Sequence, residues 1–102
     1  MKRVMVRYKV KADKATENRR YVEAVFRELQ AKMPQGLRYA SFVQPDGVSF
    51  VHIVSLERDD GGNPLGESDA FKAFQKDIKA RCEEGPVPIE LEEVGSYRFF
   101  GS

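Results

Sequence analysis

The chain reads as an α+β protein whose elements follow the order β-α-β-β-α-β, a four-stranded antiparallel sheet with two helices on one face. Three observations predict this. Val4-Met5-Val6-Arg7-Tyr8-Lys9-Val10 alternates with the period of a strand. Two stretches carry the three-to-four-residue apolar spacing of helices, one around Tyr21 to Met33 and one around Phe71 to Cys82. Between them, two β-rich runs flank Pro45-Asp46-Gly47. An element order of this kind closes as a split β-α-β sandwich.

At 102 residues the chain suits one domain, spanning 1–102, around one core. Seventeen basic and sixteen acidic side chains leave a net charge of +1, too little to drive binding to a nucleic-acid backbone. The basic residues Lys2, Arg3, Arg7, Lys9 and Lys11 cluster at one end of the chain. No apolar run is long enough to span a membrane and no signal-peptide core is visible. The single cysteine, Cys82, cannot form an internal disulfide, which fits a cytoplasmic protein.

In the first strand Val4, Val6, Tyr8 and Val10 share one face and Met5, Arg7 and Lys9 the other. Thr16 is the expected cap of the first helix, which runs to about Met33. Its apolar stripe is Tyr21, Val22, Val25, Phe26, Leu29 and Met33, and Pro34-Gln35-Gly36 stops it. Glu23 with Arg27 and Glu28 with Lys32 are favourable pairs on the opposite side.

The second and third strands are expected at 37–44 and 48–57. A type I turn with a glycine bulge at Pro45-Asp46-Gly47 places Gln44 opposite Val48 and Ala40 opposite His52. Arg38 then shares the face of Phe50, His52 and Val54. A two-residue Asp46-Gly47 loop would shift the register by one and bring Tyr39 to that face instead; the first pairing is the one expected here. Residues 50–57 are mostly apolar on both faces, so both need cover: helices on one side and, on the other, a second copy of the chain. The breakers Asp59 to Pro64 make 58–67 a loop. Ser68 caps a second helix running to about Cys82, Gly85-Pro86-Val87-Pro88 ends that segment, and the last strand is expected at 89–97. The apolar tail 98–102 should dock on the protein.

Few side chains suggest chemistry. His52 is the only histidine. It is either a general base or a core residue with a satisfied ring. Tyr8 is a plain core ring or one whose hydroxyl binds a ligand. Gln75 lies on an apolar stripe four residues after Phe71, so it either finds a backbone partner or lines a cavity. One histidine, one cysteine and the acids Glu57, Asp59 and Asp60 lack metal-ligand spacing. Cys82 lies late in a helix, where a thiolate gains nothing from the helix N-terminus. Gly61-Gly62 is not followed by the Lys-Ser/Thr of a phosphate loop, and no strand carries the aromatic motif of an RNA-binding module.

Arg7-Tyr8-Lys9-Val10, the helix Tyr21 to Leu29, Phe50-Val51-His52-Ile53 with Leu56-Glu57, and Ser68-Asp69-Ala70-Phe71 resemble the antibiotic biosynthesis monooxygenase-like family. Its members are ferredoxin-like dimeric α/β barrels. The resemblance covers nearly the whole chain. It implies a homodimer closed through the sheet faces, with a small apolar or aromatic ligand held between sheet and helices. It also implies oxidation of an aromatic or phenolic metabolite without a dedicated cofactor, with His52 as base. Val6, Tyr8, Arg38, Phe50, Leu56 and Gln75 would line the pocket. Haem-degrading members carry an asparagine, a tryptophan and a histidine at positions matching Val6, Leu56 and Gln75. None of the three is present, so the resemblance implies no haem degradation by that route. A haem-binding module with His52 as axial ligand, and a non-catalytic ligand-binding or structural dimer, are the competing readings.

Overall fold

The computed structural model describes residues 1–100. Strand β1 (Lys2–Val10) leads through a short 3-10 turn at Ala12–Lys14 into helix α1 (Ala15–Lys32). Strands β2 (Leu37–Val43) and β3 (Ser49–Leu56) form a hairpin, helices α2 (Asp69–Gln75) and α3 (Ile78–Arg81) follow, and β4 (Cys82–Leu91) completes the sheet. The strand order is β2-β3-β1-β4, with every neighbouring pair antiparallel. This is the predicted α+β architecture. Val6, Tyr8 and Val10 of β1, Phe50 and Val54 of β3, and Tyr39 and Val43 of β2 share a core with Val22 and Val25 of α1 and Phe74 of α2. The helices therefore cover one face of the sheet. Tyr8 and Phe50 are cross-strand partners and their rings stack at 5.4 Å.

Four expectations need correction. The hairpin register differs from the one expected: Ser41 pairs with His52, Ala40 with Ile53 and Tyr39 with Val54. The type I turn is present, with Gly47 N–H donating to the Gln44 carbonyl at 2.9 Å and Gly47 at φ +77°. The loop holds one residue more, however, because Gln44 N–H donates to Ser49 rather than pairing with Val48. The Asp46 carboxylate accepts from the amides of Val48 and Ser49 at 3.0 and 2.9 Å, and the Val48 carbonyl takes the Val10 N–H at 2.9 Å. One added residue exchanges the two faces of β2. Tyr39 turns to the helix side, and Arg38 to the other side, where its guanidinium bonds Glu57 at 3.1 Å.

Helix α1 has no side-chain cap from Thr16; the 3-10 turn feeds it directly, with Lys14 at the N-cap. Its last stripe residue, Met33, adopts φ +45° at the C-cap and is 75% exposed, since the following Pro34 disfavours a helical conformation there. The second helix is broken. Ser68 caps α2 as expected, its hydroxyl accepting from Phe71 N–H at 3.0 Å. At Asp77 the backbone turns to φ +61° before α3. The Arg81 guanidinium takes the carbonyls of Phe74 and Lys76 at 2.7 and 3.1 Å, bonds that continued helix would use. Glu28 ties α1 to the start of α2, accepting from the Ala70 amide at 3.4 Å while pairing with Lys32 at 3.7 Å.

The last strand spans Cys82–Leu91 rather than 89–97, so it contains the Gly-Pro-Val-Pro run. Strand β4 is an edge, bonded among the described residues only to β1, where prolines without N–H groups are tolerated. Register shifts between Arg7 and Lys9 and between Lys9 and Val10 mark the irregular stretch. On the face away from the helices, Phe99 and Phe100 lie beside Arg38, Ala40, Phe42 and Ile53. The Arg3 guanidinium sits 3.9 Å over the Phe100 ring. The docked tail thus includes Phe99 and Phe100; positions 101 and 102 lie outside the described residues.

Candidate functional site

Between sheet and helices lies a cavity of about 250 Å³. Val6 of β1, Val54 of β3 and Tyr39 of β2 form its floor; Phe71, Phe74 and Ile78 form its roof, and Leu65, Gln75 and Pro86 complete the rim. His52 and Tyr8 supply a polar end. A larger groove of about 560 Å³, lined by Arg7, Lys9, Gln44 and Glu84 among others, is an open trough between mostly exposed side chains. The more apolar cavity between sheet and helices, with its convergent polar groups, is the better candidate ligand site.

His52 is central to that polar end and only 5% exposed. Its Nε2 is 2.8 Å from the Tyr8 hydroxyl and 3.2 Å from the Ser41 hydroxyl. Its Nδ1 bonds the Tyr39 hydroxyl. Burial lowers the imidazole pKa from 6.5 to about 4, because the charged ring would lose its hydration. Burial likewise pushes the hydroxyls of Tyr8 and Tyr39 well above the usual tyrosine range, although the Asn18 hydrogen bond pulls Tyr8 back somewhat. At neutral pH the ring is uncharged and both phenols keep their protons.

The network continues away from the cavity. Asn18 of α1, fully buried, donates from Nδ2 to the Tyr8 oxygen at 2.9 Å. Its Oδ1 accepts from Nε and Nη2 of Arg81, each at 3.4 Å. Arg81 is 4% exposed, and no carboxylate pairs with it among the described residues. Its charge is met by the two backbone carbonyls, by Asn18 and by the face of Tyr21 at 4.5 Å. No buried side-chain nitrogen or oxygen among the described residues lacks a partner.

Of the side chains singled out in the sequence, Val6, Tyr8, His52 and Gln75 line this cavity. Phe50 is buried behind Tyr8, outside the lining, and Leu56 lies beyond Val54 at the end of β3, paired with Leu37. Arg38 is on the opposite face, for the register reason given above. Sequence reasoning missed Tyr39 as a contact of His52, because that depended on the register. It also missed Asn18 and Arg81. Asn18 precedes Val22 by four residues and so extends the α1 stripe, the same signal that marked Gln75. Arg81 follows Ile78 at helical spacing, but charged side chains are so seldom buried that the spacing alone does not point inward. No group of three or more His, Cys, Asp or Glu residues that could hold a metal ion occurs among the described residues. An axial haem ligand needs a free ring nitrogen; both of His52's are engaged within the chain, so the residues present do not fit that role.

The fold is that of a ferredoxin-like α+β protein with a candidate ligand cavity between sheet and helices. No protein-family signature matches the chain, and no curated protein does. Solved structures do. A Nitrosomonas europaea protein provisionally named an antibiotic biosynthesis monooxygenase superposes with a TM-score of 0.76 at 14% identity, over 93% of this chain and 100% of that one. A Caulobacter crescentus protein with the same provisional name gives 0.70 at 24% identity, over 92% and 90%. A structure named antibiotic biosynthesis monooxygenase gives 0.66 at 19%, over 93% and 100%. The neighbours bear the family name that the sequence resembles, and at these identities the likeness is one of fold.

Proposed function

We propose that the protein is monooxygenase-like and acts on a small aromatic or phenolic metabolite without a dedicated cofactor. The observation that carries this reading is the apolar cavity lined by Phe71 and Phe74 together with Tyr39 and His52, whose side chains are hydrogen-bonded to each other. The names of the structural neighbours support it. In this chemistry the ionised substrate is itself the reductant. One atom of dioxygen enters a ring carbon and the other leaves as water, with all the electrons drawn from the substrate. The protein supplies a dry site and a group that stabilises the substrate anion. A general base would need a lone pair facing the cavity; both His52 nitrogens already hold hydroxyls, so in this reading His52 acts by positioning Tyr39. Gln75, at the rim, can bond a polar substituent.

Oxygen uptake by purified protein with a panel of phenols and hydroquinones, with labelled dioxygen traced into the product, tests the proposal. Uptake above the protein-free rate with label in the ring is expected. Thermal stabilisation by the same compounds without uptake would support a non-catalytic binding protein. The neutral, fully bonded histidine favours that second reading.

We further propose a homodimer through the sheet face opposite the helices. In the single chain Phe42 is 51% exposed, Val87 47% and Leu91 37%, an apolar surface that a second copy would cover. No helix among the described residues is long and apolar enough to cross a membrane. The lone, unpaired Cys82 is consistent with a cytoplasmic location.

A further inference from the structure

Arginine has only donors. Arg81 therefore forces the oxygen of the Asn18 amide toward itself, which leaves the Asn18 NH2 facing Tyr8. The Tyr8 oxygen accepts that N–H, so its own proton is free to go to His52 Nε2 at 2.8 Å. A neutral imidazole whose Nε2 accepts must carry its proton on Nδ1, and Nδ1 then donates to the Tyr39 oxygen. The remaining proton of Tyr39 has no acceptor among the described residues, and Tyr39 lines the cavity. Ser41, the other group at Nε2, can also donate there and agrees with the same tautomer. In the opposite tautomer Nε2–H would donate to Tyr8 or Ser41, and the Tyr8 proton would be left buried with no acceptor.

We infer that Arg81, through Asn18, Tyr8 and His52, sets the direction of the whole chain and makes Tyr39 a hydrogen-bond donor to the cavity, which selects ligands presenting an acceptor oxygen: a phenolate, enolate, quinone or aryl ketone. The ligand class rests on the cavity being the ligand site, as proposed above; the direction of the chain does not. Tyr39 is the group that meets the ligand, and Asn18 and Arg81 are positioning residues that never touch it.

Asn18→Asp reverses the arrangement. The introduced carboxylate has no proton to give, so it accepts from both Arg81 and Tyr8. Tyr8 must then accept from His52 Nε2, Nδ1 becomes an acceptor, Tyr39 donates to it, and the lone pairs of Tyr39 face the cavity. The histidine is unique in the chain, so its two nitrogen resonances report the tautomer without assignment. Nitrogen NMR at neutral pH should show the Nδ1–H form in the unaltered protein and the Nε2–H form in Asn18→Asp. Ligand preference is read by titrating acetophenone, an acceptor only, and indole, a donor only. Acetophenone should bind the unaltered protein about tenfold more tightly than indole, and the preference should reverse in Asn18→Asp. Should Asn18→Asp fail to fold, Tyr39→Phe decides the ligand arm: it should keep the Nδ1–H form and lose the preference. The Nε2–H form in the unaltered protein would overturn the inference whether or not a ligand binds. Equal binding of the two probes, or tighter indole, would overturn the ligand class. The Nδ1–H form with neither probe bound would leave the chain direction standing and defeat both the ligand class and the cavity as a ligand site.

Discussion

His52 should make the fold sensitive to mild acid. Burial holds its pKa at about 4 in the folded protein, whereas the unfolded chain exposes a histidine titrating near about 6.5. Between those values the unfolded state binds more protons than the folded state, so stability falls as the pH drops. The loss begins near the unfolded value and is complete once the pH lies below the folded one. The full difference corresponds to about 3 kcal/mol, and at about pH 5 roughly 2 kcal/mol of it is already gone. Glu28, Asp46, Glu57 and Asp60 are also held below their usual range by hydrogen bonds and cations. Their contributions vanish only at lower pH, in the carboxylate range, so the interval from about pH 7.5 to 5 belongs mainly to the histidine. Urea unfolding at fixed protein concentration measures it. With a slope of about 1–3 kcal/mol per molar, the midpoint should fall by about 0.7–2 M across that interval. His52→Gln, which keeps polar contacts and does not titrate, should show a nearly flat midpoint. Equal slopes for the two proteins would refute the claim that His52 is desolvated.

Asn18→Ala should destabilise the protein by about 2–4 kcal/mol, measured by denaturant unfolding, because Arg81 Nε loses its partner inside the core. A cost below about 0.5 kcal/mol would mean that water satisfies Arg81 there. Val54→Phe should fill the cavity, change stability by less than about 1.5 kcal/mol and abolish the thermal shift produced by phenolic ligands. Sedimentation at micromolar concentration should give twice the chain mass, and Phe42→Glu should give a folded monomer. A Phe42→Glu protein that remains dimeric would place the interface elsewhere.

The sequence by itself determined the element order, the face of β1 that enters the core, the Ser68 cap and the topology. These follow from local periodicity and from backbone needs that a few adjacent residues express. It also selected Tyr8 and His52, because polar groups amid apolar alternation stand out one residue at a time. The tertiary structure alone decided the β2–β3 register. There a single extra loop residue, held by Asp46 and by the bond from Val10 to Val48, exchanges Arg38 for Tyr39. Tertiary structure also decided that α2 stops at Gln75, since the carbonyls that would extend it are taken by Arg81. The edge position of β4 likewise let a strand run through two prolines. The Arg81-Asn18-Tyr8-His52-Tyr39 chain joins α3, α1, β1, β3 and β2. Arg81 and Tyr39 are unremarkable in their own segments. Burial brings the members together and leaves no buried side-chain nitrogen or oxygen among the described residues without a partner, a condition with meaning only after the chain has folded.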